Sequence, residues 1–377
     1  MTSKMKCPEP GCQNFCYVGS QRCIECSVRL RRREPLKLQV ETPPEVVIEQ
    51  RIQESRSEAE LSRTKKLLDA ALKQIEHLQS ERAVFLQLEQ GLNSSVTIEP
   101  KEPSHTSEAV PVLVASDWHS EELVTLAQSN GLNEFNLEIA EKRIRRFFQS
   151  GLNLIKNHLN PGVAIHQVVL ALLGDFITND IHEELVENVA LGPTAALIFV
   201  QNLIVAGIQF LLDNSPYKYT VVCRVGNHSR TTKKTHFSQE NDHSLEHLMY
   251  VFLKAHFRNE SRIEFVIQEG YHIFVDVFDK TLRFHHGHAI NYQGGIGGIT
   301  IPVIKAIAAW DKAVPADLDV FGHFHQTLSN NKFKANGSLI GYGAYGVRVK
   351  GEYEPPKQTL FLVDKKSGIT ADWPIYV

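Results

Sequence analysis

The sequence predicts an α/β protein whose functional residues lie along one edge of a sheet. Short apolar runs at 112–115, 168–173 and 219–225 have the composition of strands, and each ends at conspicuous polar residues. Helix-like segments separate these runs, and hydrophobic residues make up 42% of the 377-residue chain, which is enough for a large core. Strands that alternate with helices and carry ligand-type residues at their carboxyl ends are typical of this fold class.

The later part of the chain adds strands that favour a mixed sheet or two packed sheets. A hairpin is predicted from 274–278 and 281–285, and further strands at 318–321, 339–342 and 359–364. The predicted helices cover 134–158, 182–212 and 239–257. The most apolar stretch, 195–212, is interrupted by Gln201, Asn202 and Gln209, so we interpret it as a buried helix and expect no membrane association.

Charge identifies no single partner for the whole chain. Lys and Arg number 40 against 43 Asp and Glu, which excludes a wholly basic nucleic-acid binder and an acidic disordered chain. Charge does divide the chain into a basic segment at 1–33, an acidic linker and helical segment at 34–110, and a globular domain at 111–377. The first residues lack the apolar stretch of a secretory signal, so we expect a cytoplasmic location.

The first segment contains five of the six cysteines. Cys7, Cys12, Cys23 and Cys26 have a spacing that predicts a four-thiolate structural zinc site, with Cys16 able to replace Cys12. Such a short segment has too few apolar residues for a core, so a tetrahedral metal would supply its folding free energy. The alternative is a disordered tail with reduced cysteines.

The second segment predicts a long helix over 45–90, because it is polar and lacks glycine. Apolar residues recur there at alternating steps of three and four, with one charged position, at Leu68, Ala71, Ile75, Leu78, Arg82 and Phe85. This pattern favours a coiled-coil homodimer, and the alternative is an exposed or frayed helical spacer. A stretch rich in Pro, Ser and Glu at 100–111 is predicted to be a linker.

Five polar motifs follow strand-like runs in the third segment. A single D-x-H or G-D motif is common, but five in this order make coincidence improbable. The motifs are Asp117-Trp-His119, Gly174-Asp175, Gly226-Asn227-His228, His286-Gly287-His288 and Gly322-His323-Phe-His325.

This order resembles the calcineurin-like metallophosphoesterase superfamily, over about 112–349. The resemblance implies a four-layer α/β/β/α sandwich of mixed sheets, preceded here by the zinc segment and the long helix. It also implies two metal ions. Asp117, His119 and His325 would bind one ion, Asn227, His286 and His323 would bind the other, and Asp175 would bridge both.

The donor set and the resemblance together predict the chemistry. Nitrogen and oxygen donors suit manganese, the metal we expect, or iron or zinc. Two such ions can activate a shared water as hydroxide for in-line attack on a phosphate ester, so Asp175 is also a candidate catalytic residue. By the resemblance, His228 acts as a general acid or transition-state donor. The acidic residue that often follows this histidine in the family is Ser229 here, which weakens the orientation of His228.

The remaining histidines include His285 and His288, and most of the group is expected on the surface or facing a helix. His288 is near enough in sequence to reach substrate, but the family ligand is His286. A basic loop at 229–236 is predicted to hold a polyanion or to be a solvated surface loop. The glycines at 294–298 lack the spacing of a phosphate-binding motif and are predicted to form a rim loop.

The function predicted from these features is hydrolysis of phosphodiesters, with nucleic acid as the expected substrate. The basic first segment, which ends in Arg31-Arg32-Arg33, is the reason for preferring nucleic acid, together with the nucleases of the superfamily. The Asp-Trp-His and Gly-His-Phe-His motifs resemble uncharacterised phosphoesterases of tailed bacteriophages, which would place the chain in a host cytoplasm. The alternatives are a phosphatase acting on a phosphoprotein or small nucleotide, and a non-catalytic adaptor stabilised by metal.

Overall fold

The computed structural model describes residues 4–6, 12–13, 15–17, 44–92, 107–158, 162–181, 186–292, 297–349 and 352–377. The chain divides into two compact units, Met1–Pro100 and Lys101–Val377. In the first unit, strands β1 (Lys4–Lys6) and β2 (Phe15–Tyr17) pair antiparallel, and helix α1 spans Pro44–Leu92. Cys7, Cys23 and Cys26 lie outside the described residues, so the zinc site stays a prediction.

The second unit contains two sheets, of which the larger has seven strands. Their order is β14-β13-β3-β5-β6-β7, with β4 paired to β3. Strands β3, β5, β6 and β7 are parallel, so their carboxyl ends meet at one edge, whereas β13 runs antiparallel to both β3 and β14. The strands are β3 (Ser107–Ala115), β4 (Val163–Ala164), β5 (Gln167–Leu172), β6 (Lys218–Cys223), β7 (Ile263–Val266), β13 (Lys357–Asp364) and β14 (Gly368–Tyr376).

The smaller sheet has five strands in the order β11-β12-β10-β9-β8. The predicted hairpin is present as the antiparallel pair β8 and β9, and β10 runs parallel to β9 and β12. The ends of β9 and β10 therefore lie side by side, as the site requires. The strands are β8 (Ile273–Val277), β9 (Lys280–Phe284), β10 (Leu318–Phe321), β11 (Leu328–Ser329) and β12 (Phe333–Ala335).

Successive side chains of β3 face two different cores, so the two sheets pack against each other in the middle of the unit. Val112 and Val114 are buried in a core shared with Leu282 and Val320 of the smaller sheet. Leu113, from the opposite face of β3, belongs to a second core with the helices.

Helices cover the outer face of each sheet. Helices α2, α3 and α4 pack on the larger sheet, and α5 packs on the smaller one through Val303 and Ile307. The result is the predicted four-layer α/β/β/α arrangement of mixed sheets. The helices of this unit are α2 (Leu137–Asn153, continued by a π-helical turn at Leu154–His158), α3 (Pro193–Asp213), α4 (Leu245–His256), α5 (Thr300–Trp310) and α6 (Ala344–Val349).

Helix α3 confirms the interpretation of the apolar stretch as a core helix, although it begins later than predicted. By length and composition alone it could cross a membrane. However, Val200, Ile204 and Ile208 are buried in the core against the larger sheet. The helix begins at Pro193 instead of residue 182, because Gly192 is its N-cap and proline favours the first helical position.

The prediction of a strand at 339–342 is wrong. This segment is a loop whose backbone carbonyls are bound by side chains instead of by a neighbouring strand. Nη1 of Arg143 donates to the carbonyls of Leu339 and Ile340 at 2.9 and 2.8 Å, and Nδ2 of Asn133 donates to Ile340 at 2.9 Å. The backbone N–H of Leu339 donates to the carbonyl of Asp117, so the loop supports the first motif.

Candidate metal centre

The five motifs meet at one edge of the two-sheet sandwich. The loop after β3 carries Asp117 and His119, and the loops after β5 and β6 carry the second and third motifs. The loops after β9 and β10 of the smaller sheet carry the fourth and fifth motifs. Residues that lie up to about two hundred positions apart in the chain are thus brought together, as when the N–H of His323 donates to the Asp117 carboxylate.

The ligand-type atoms form three overlapping groups, each with its atoms within 4.8 Å of one another. The described residues therefore contain candidate metal-binding clusters. Two of these groups bring together residues that were predicted to share an ion, and Asp175 belongs to two of the three. The groups are Asp117, His119 and His325; His119, Asp175 and His228; and Asp175, His286 and His323.

Backbone strain marks the same residues. Asp117, His119, Asp175, His323 and His325 have φ angles of 54°, 45°, 54°, 69° and 54°. Residues other than glycine rarely adopt this left-handed conformation, and each such case costs on the order of 1–3 kcal/mol unless the surroundings impose it. The backbone conformation that turns these side chains toward one point therefore lowers the stability of the fold.

Two glycines are required by close packing behind the ligands. A Cβ on Gly174 would lie 2.1 Å from the backbone nitrogen of Gly226, so the second and third motif loops touch at these residues. A Cβ on Gly322 would lie 2.3 Å from Oδ2 of Asp117. Both positions therefore exclude any larger side chain.

The two buried aspartates differ in their charge environment. Burial raises the pKa of Asp117 to about 7. Burial alone would also raise the pKa of Asp175, but His286 and His228 hold it well below its usual range. Oδ1 of Asp175 accepts the backbone N–H of His228 at 2.8 Å, and Oδ2 lies 2.8 Å from Nε2 of His286. Asp175 is therefore the carboxylate held ionised between the motifs.

The histidines are mostly held neutral, which is the form that binds a metal. Burial lowers the pKa of His119 and His323 well below the usual value and lowers that of His325 to about 4. His286 differs: burial would lower its pKa, but the Asp175 carboxylate raises it to about 9. His286 must therefore lose a proton before it can bind a metal.

Backbone and hydroxyl partners fix the ring orientations. Nδ1 of His286 donates to the carbonyl of Leu173 at 2.7 Å, which leaves Nε2 facing the site. Thr178 contacts two rings: its Oγ1 lies 3.1 Å from Nδ1 of His119, and its carbonyl accepts from Nδ1 of His228 at 2.9 Å. The sequence contained no signal for this role of Thr178.

The residues present fit a site for divalent metal. Nε2 of His119 and Oδ1 of Asn227 are buried and have no hydrogen-bond partner among the described residues. Buried polar atoms normally have partners, so two that lack them at a cluster of nitrogen and oxygen donors point to ligands of a metal. The role of Asn227 as a ligand stays a prediction.

Buried glutamates hold the motif loops, and the motif pattern did not reveal them. Glu246 of α4 accepts the backbone N–H groups of Phe176 and Gly226 at 2.7 and 2.8 Å, which ties the second motif to the third. Glu121 accepts those of Thr178 and Asn179 at 2.7 and 2.9 Å. Burial raises the pKa of both glutamates to about 7.

Two histidines of the fourth motif region have buried side chains. His285 is fully buried beside Asp319, with Nε2 3.3 Å from Oδ1, so it is an exception to the surface or helix-facing positions expected for most of the remaining histidines. The side chain of His288 is 5% exposed, and its Nε2 lies 2.8 Å from Oε1 of Glu240. His285 follows β9 directly, and His288 lies in the loop just beyond His286.

Comparisons with known proteins give likenesses of structure. Vacuolar Protein Sorting 29 from Cryptosporidium parvum is 12% identical, with a TM-score of 0.29, and the match covers 71% of this chain and 98% of that one. A conserved uncharacterized protein of Streptococcus pneumoniae, described as a predicted phosphoesterase, is 10% identical, with a TM-score of 0.27 and coverages of 71% and 98%. Vps29 from Entamoeba histolytica, complexed with zinc, is 12% identical, with a TM-score of 0.27 and coverages of 70% and 99%.

No protein-family model matches the chain, and no curated protein sequence matches it. The layered sheets and the motifs at their shared edge nevertheless define the class. The chain has a metallophosphoesterase fold with a candidate metal site.

Proposed function

We propose that the chain is a phosphodiesterase that depends on two divalent metal ions and acts on nucleic acid. The observation that carries this proposal is the position of Asp175. Its carboxylate belongs to two of the three ligand groups, which is the arrangement expected of a bridging ligand between two ions. Two bound ions supply an activated nucleophile and neutralise charge on the phosphoryl oxygens.

The chain's own residues then have separate roles. Asp117, His119 and His325 hold one ion, and Asn227, His286 and His323 hold the other. His228 donates a proton or hydrogen bond to the phosphate ester, because Thr178 fixes its Nδ1 and directs Nε2 into the same space. His228 also lies close enough to His119 and Asp175 to be a ligand, so metal retention in a His228 variant decides between these roles.

Manganese is the proposed native metal, with iron and zinc as the other candidates that the donor set suits. The test is metal analysis of the purified protein, followed by hydrolysis of bis-p-nitrophenyl phosphate and p-nitrophenyl phosphate with added manganese. We expect about two ions per chain and faster hydrolysis of the diester. Faster hydrolysis of the monoester would favour a phosphatase. Bound metal without hydrolysis of either ester would favour an adaptor.

Nucleic acid is proposed as the substrate because a basic stretch lies beside His228 and because the first segment is basic. Arg230, Lys233 and Lys234 occupy the loop that follows the third motif. The segment ending in Arg31-Arg32-Arg33 lies outside the described residues. A manganese-supplemented comparison of single-stranded DNA, duplex DNA, RNA and mononucleotide esters tests this substrate class directly.

A further inference from the structure

Phe237 is an exposed aromatic residue beside the metal centre. Its ring stacks on the imidazole of His288, with centroids 5.5 Å apart and planes inclined by 15°, and it contacts Tyr271 at 6.2 Å. The residue is nevertheless 53% exposed. One face of the ring therefore rests on His288 while much of the ring remains open to solvent.

The ring of His288 links Phe237 to the candidate ligands. Its centroid is 5.5 Å from that of His286 and 6.3 Å from that of His323. Phe237 is thus separated from the metal centre by one imidazole ring.

Buried charges hold this imidazole in place. Oε1 of Glu240 lies 2.8 Å from Nε2 of His288, and Glu240 also pairs with the buried guanidinium of Arg224. The hydroxyl of Tyr271 accepts the backbone N–H groups of Gly287 and Ala289 at 3.1 Å each. The support beneath Phe237 is therefore preorganised, which reduces the entropy cost of binding a ligand on it.

The stretch of chain that joins the proposed acid His228 to Phe237 carries positive charge. Lys233 and Lys234 are exposed, and Nη1 of Arg230 donates to the carbonyl of Asn227, which anchors the start of the loop to a candidate ligand. Exposed aromatic rings combined with basic side chains bind single-stranded nucleic acids, through base stacking and contacts to phosphates. The predicted polyanion loop thus also carries a stacking surface.

We propose that Phe237 is a stacking site for the nucleobase next to the scissile phosphate, so that the substrate is single-stranded nucleic acid or a nucleoside phosphodiester. This inference rests on the proposed function, since it places the base relative to that reaction. Duplex DNA, whose bases are stacked on one another, would not use this site.

The test compares two diesters with the same leaving group, thymidine 5′-p-nitrophenyl phosphate and methyl p-nitrophenyl phosphate. With the full-length protein and manganese, Phe237→Ala should lower the preference for the nucleoside diester about tenfold, mainly through KM, because stacking of one base contributes about 1–3 kcal/mol. Phe237→Trp should retain the preference. Phe252→Ala, which removes an equally exposed ring (50%) on the outside of α4, is the matched control.

A binding measurement keeps the inference separate from the proposed function. Affinity for fluorescein-labelled oligothymidylate is measured in EDTA, where no hydrolysis can occur. Phe237→Ala should weaken binding about tenfold relative to Phe252→Ala. Equal affinities would overturn the stacking site, whereas absence of diester hydrolysis in the wild type would overturn only the proposed function.

Helix α1 carries a second, independent inference. It has 49 residues, so it is roughly 70 Å long, and an isolated helix gains little stability without packing. Leu61, Leu68, Ile75 and Leu78 are 58%, 56%, 49% and 57% exposed. These residues occupy positions a and d of successive heptads, so the exposed stripe has the spacing of a coiled-coil seam.

The residues beside the seam match a second copy of the same helix. In a parallel pair, position g of one helix faces position e of the other, five residues further along. Glu60 would then face Lys65 of the second copy, which joins opposite charges. The next two such pairs join like with like, Leu67 with Leu72 and Gln74 with Gln79.

We infer that α1 forms a parallel, in-register coiled coil with a second copy of the chain. Sedimentation of the full-length protein at micromolar concentration should give twice the mass of one chain. Ile75→Lys should convert it to monomer, because it places two charges in the seam, whereas Ser80→Lys on the outer face should remain dimeric. A monomeric wild type or a dimeric Ile75→Lys would overturn the inference.

A charge exchange tests the register. Glu60→Lys should weaken the dimer a few-fold, the size expected of exposed ion pairs, and the added change Lys65→Glu should restore it. Failure of the double variant to recover would overturn the parallel arrangement.

Discussion

The strand-end site and helix α1 obtain their structure in opposite ways. In the site, Asp117, His119, Asp175 and His286 are buried. Five ligand-type residues there have positive φ angles, and Glu246 and Thr178 hold the motif loops from other elements. In α1, every side chain whose exposure is described lies exposed, and its backbone bonds are local. The site therefore depends on long-range packing, whereas α1 depends on local sequence and, by our inference, on a second chain.

This difference predicts where substitutions have large effects. A change at the site alters a residue that several chain segments contact, so metal binding and turnover should both decrease. A change on α1 alters association without touching the chemistry. Variants of the two regions test that division.

Asp175→Asn should have the largest effect. An amide cannot replace the carboxylate that accepts the N–H of His228 and approaches His286, so both metal occupancy and turnover should fall. We expect turnover to fall by about 10³-fold or more. Removal of one preorganised electrostatic group typically costs up to about that much. Metal analysis and diester hydrolysis measure it, with the exposed Asp279→Asn as control. Full turnover with two ions bound would contradict the bridging role.

His228→Ala should separate chemistry from metal binding. The variant should retain both ions but lose about two orders of magnitude in turnover, as expected for loss of a general acid or transition-state donor. Because Ser229 replaces the acidic neighbour typical of the family, the loss should fall at the lower end. Metal content and kcat are measured on the same sample, and loss of an ion would identify His228 as a ligand.

Glu246→Gln tests the support behind the ligands. One oxygen of the side chain becomes an NH₂ group that faces a backbone N–H of Phe176 or Gly226, so one loop loses its acceptor. Metal affinity should fall about 10- to 100-fold, as for other residues that orient ligands. Metal titration measures it, and Glu138→Gln on the exposed start of α2 is the control. Unchanged affinity would show that the loops hold without this carboxylate.

Removal of residues 1–100 should have the smallest effect on chemistry. None of the candidate ligands at the strand-end site precedes Asp117, and the cut lies before β3, which begins at Ser107 and pairs with β13. Hydrolysis of bis-p-nitrophenyl phosphate should be unchanged, while nucleic-acid affinity should weaken and depend less on salt if the basic segment contacts phosphates. An unchanged salt dependence would exclude nucleic-acid binding by that segment. Slower diester hydrolysis would contradict the division between the two units.

The α/β class, the long helix and the five motifs could be read from the sequence alone, and the resemblance carried by the motifs implied the four layers. Each of the features read from the sequence is a local pattern. An apolar run followed by Asp117 or His286, for example, indicates both a strand and a ligand-type residue in the loop after it. The residues that support those motif loops could be identified only from the folded chain. Glu246 accepts the backbone N–H of Phe176 from seventy residues away. The 339–342 segment is a loop whose carbonyls accept from Arg143, and the side chain of His288 lies against Glu240. The physical reason is that these contacts depend on which strands pair and which loops meet, and that information is spread over the whole chain.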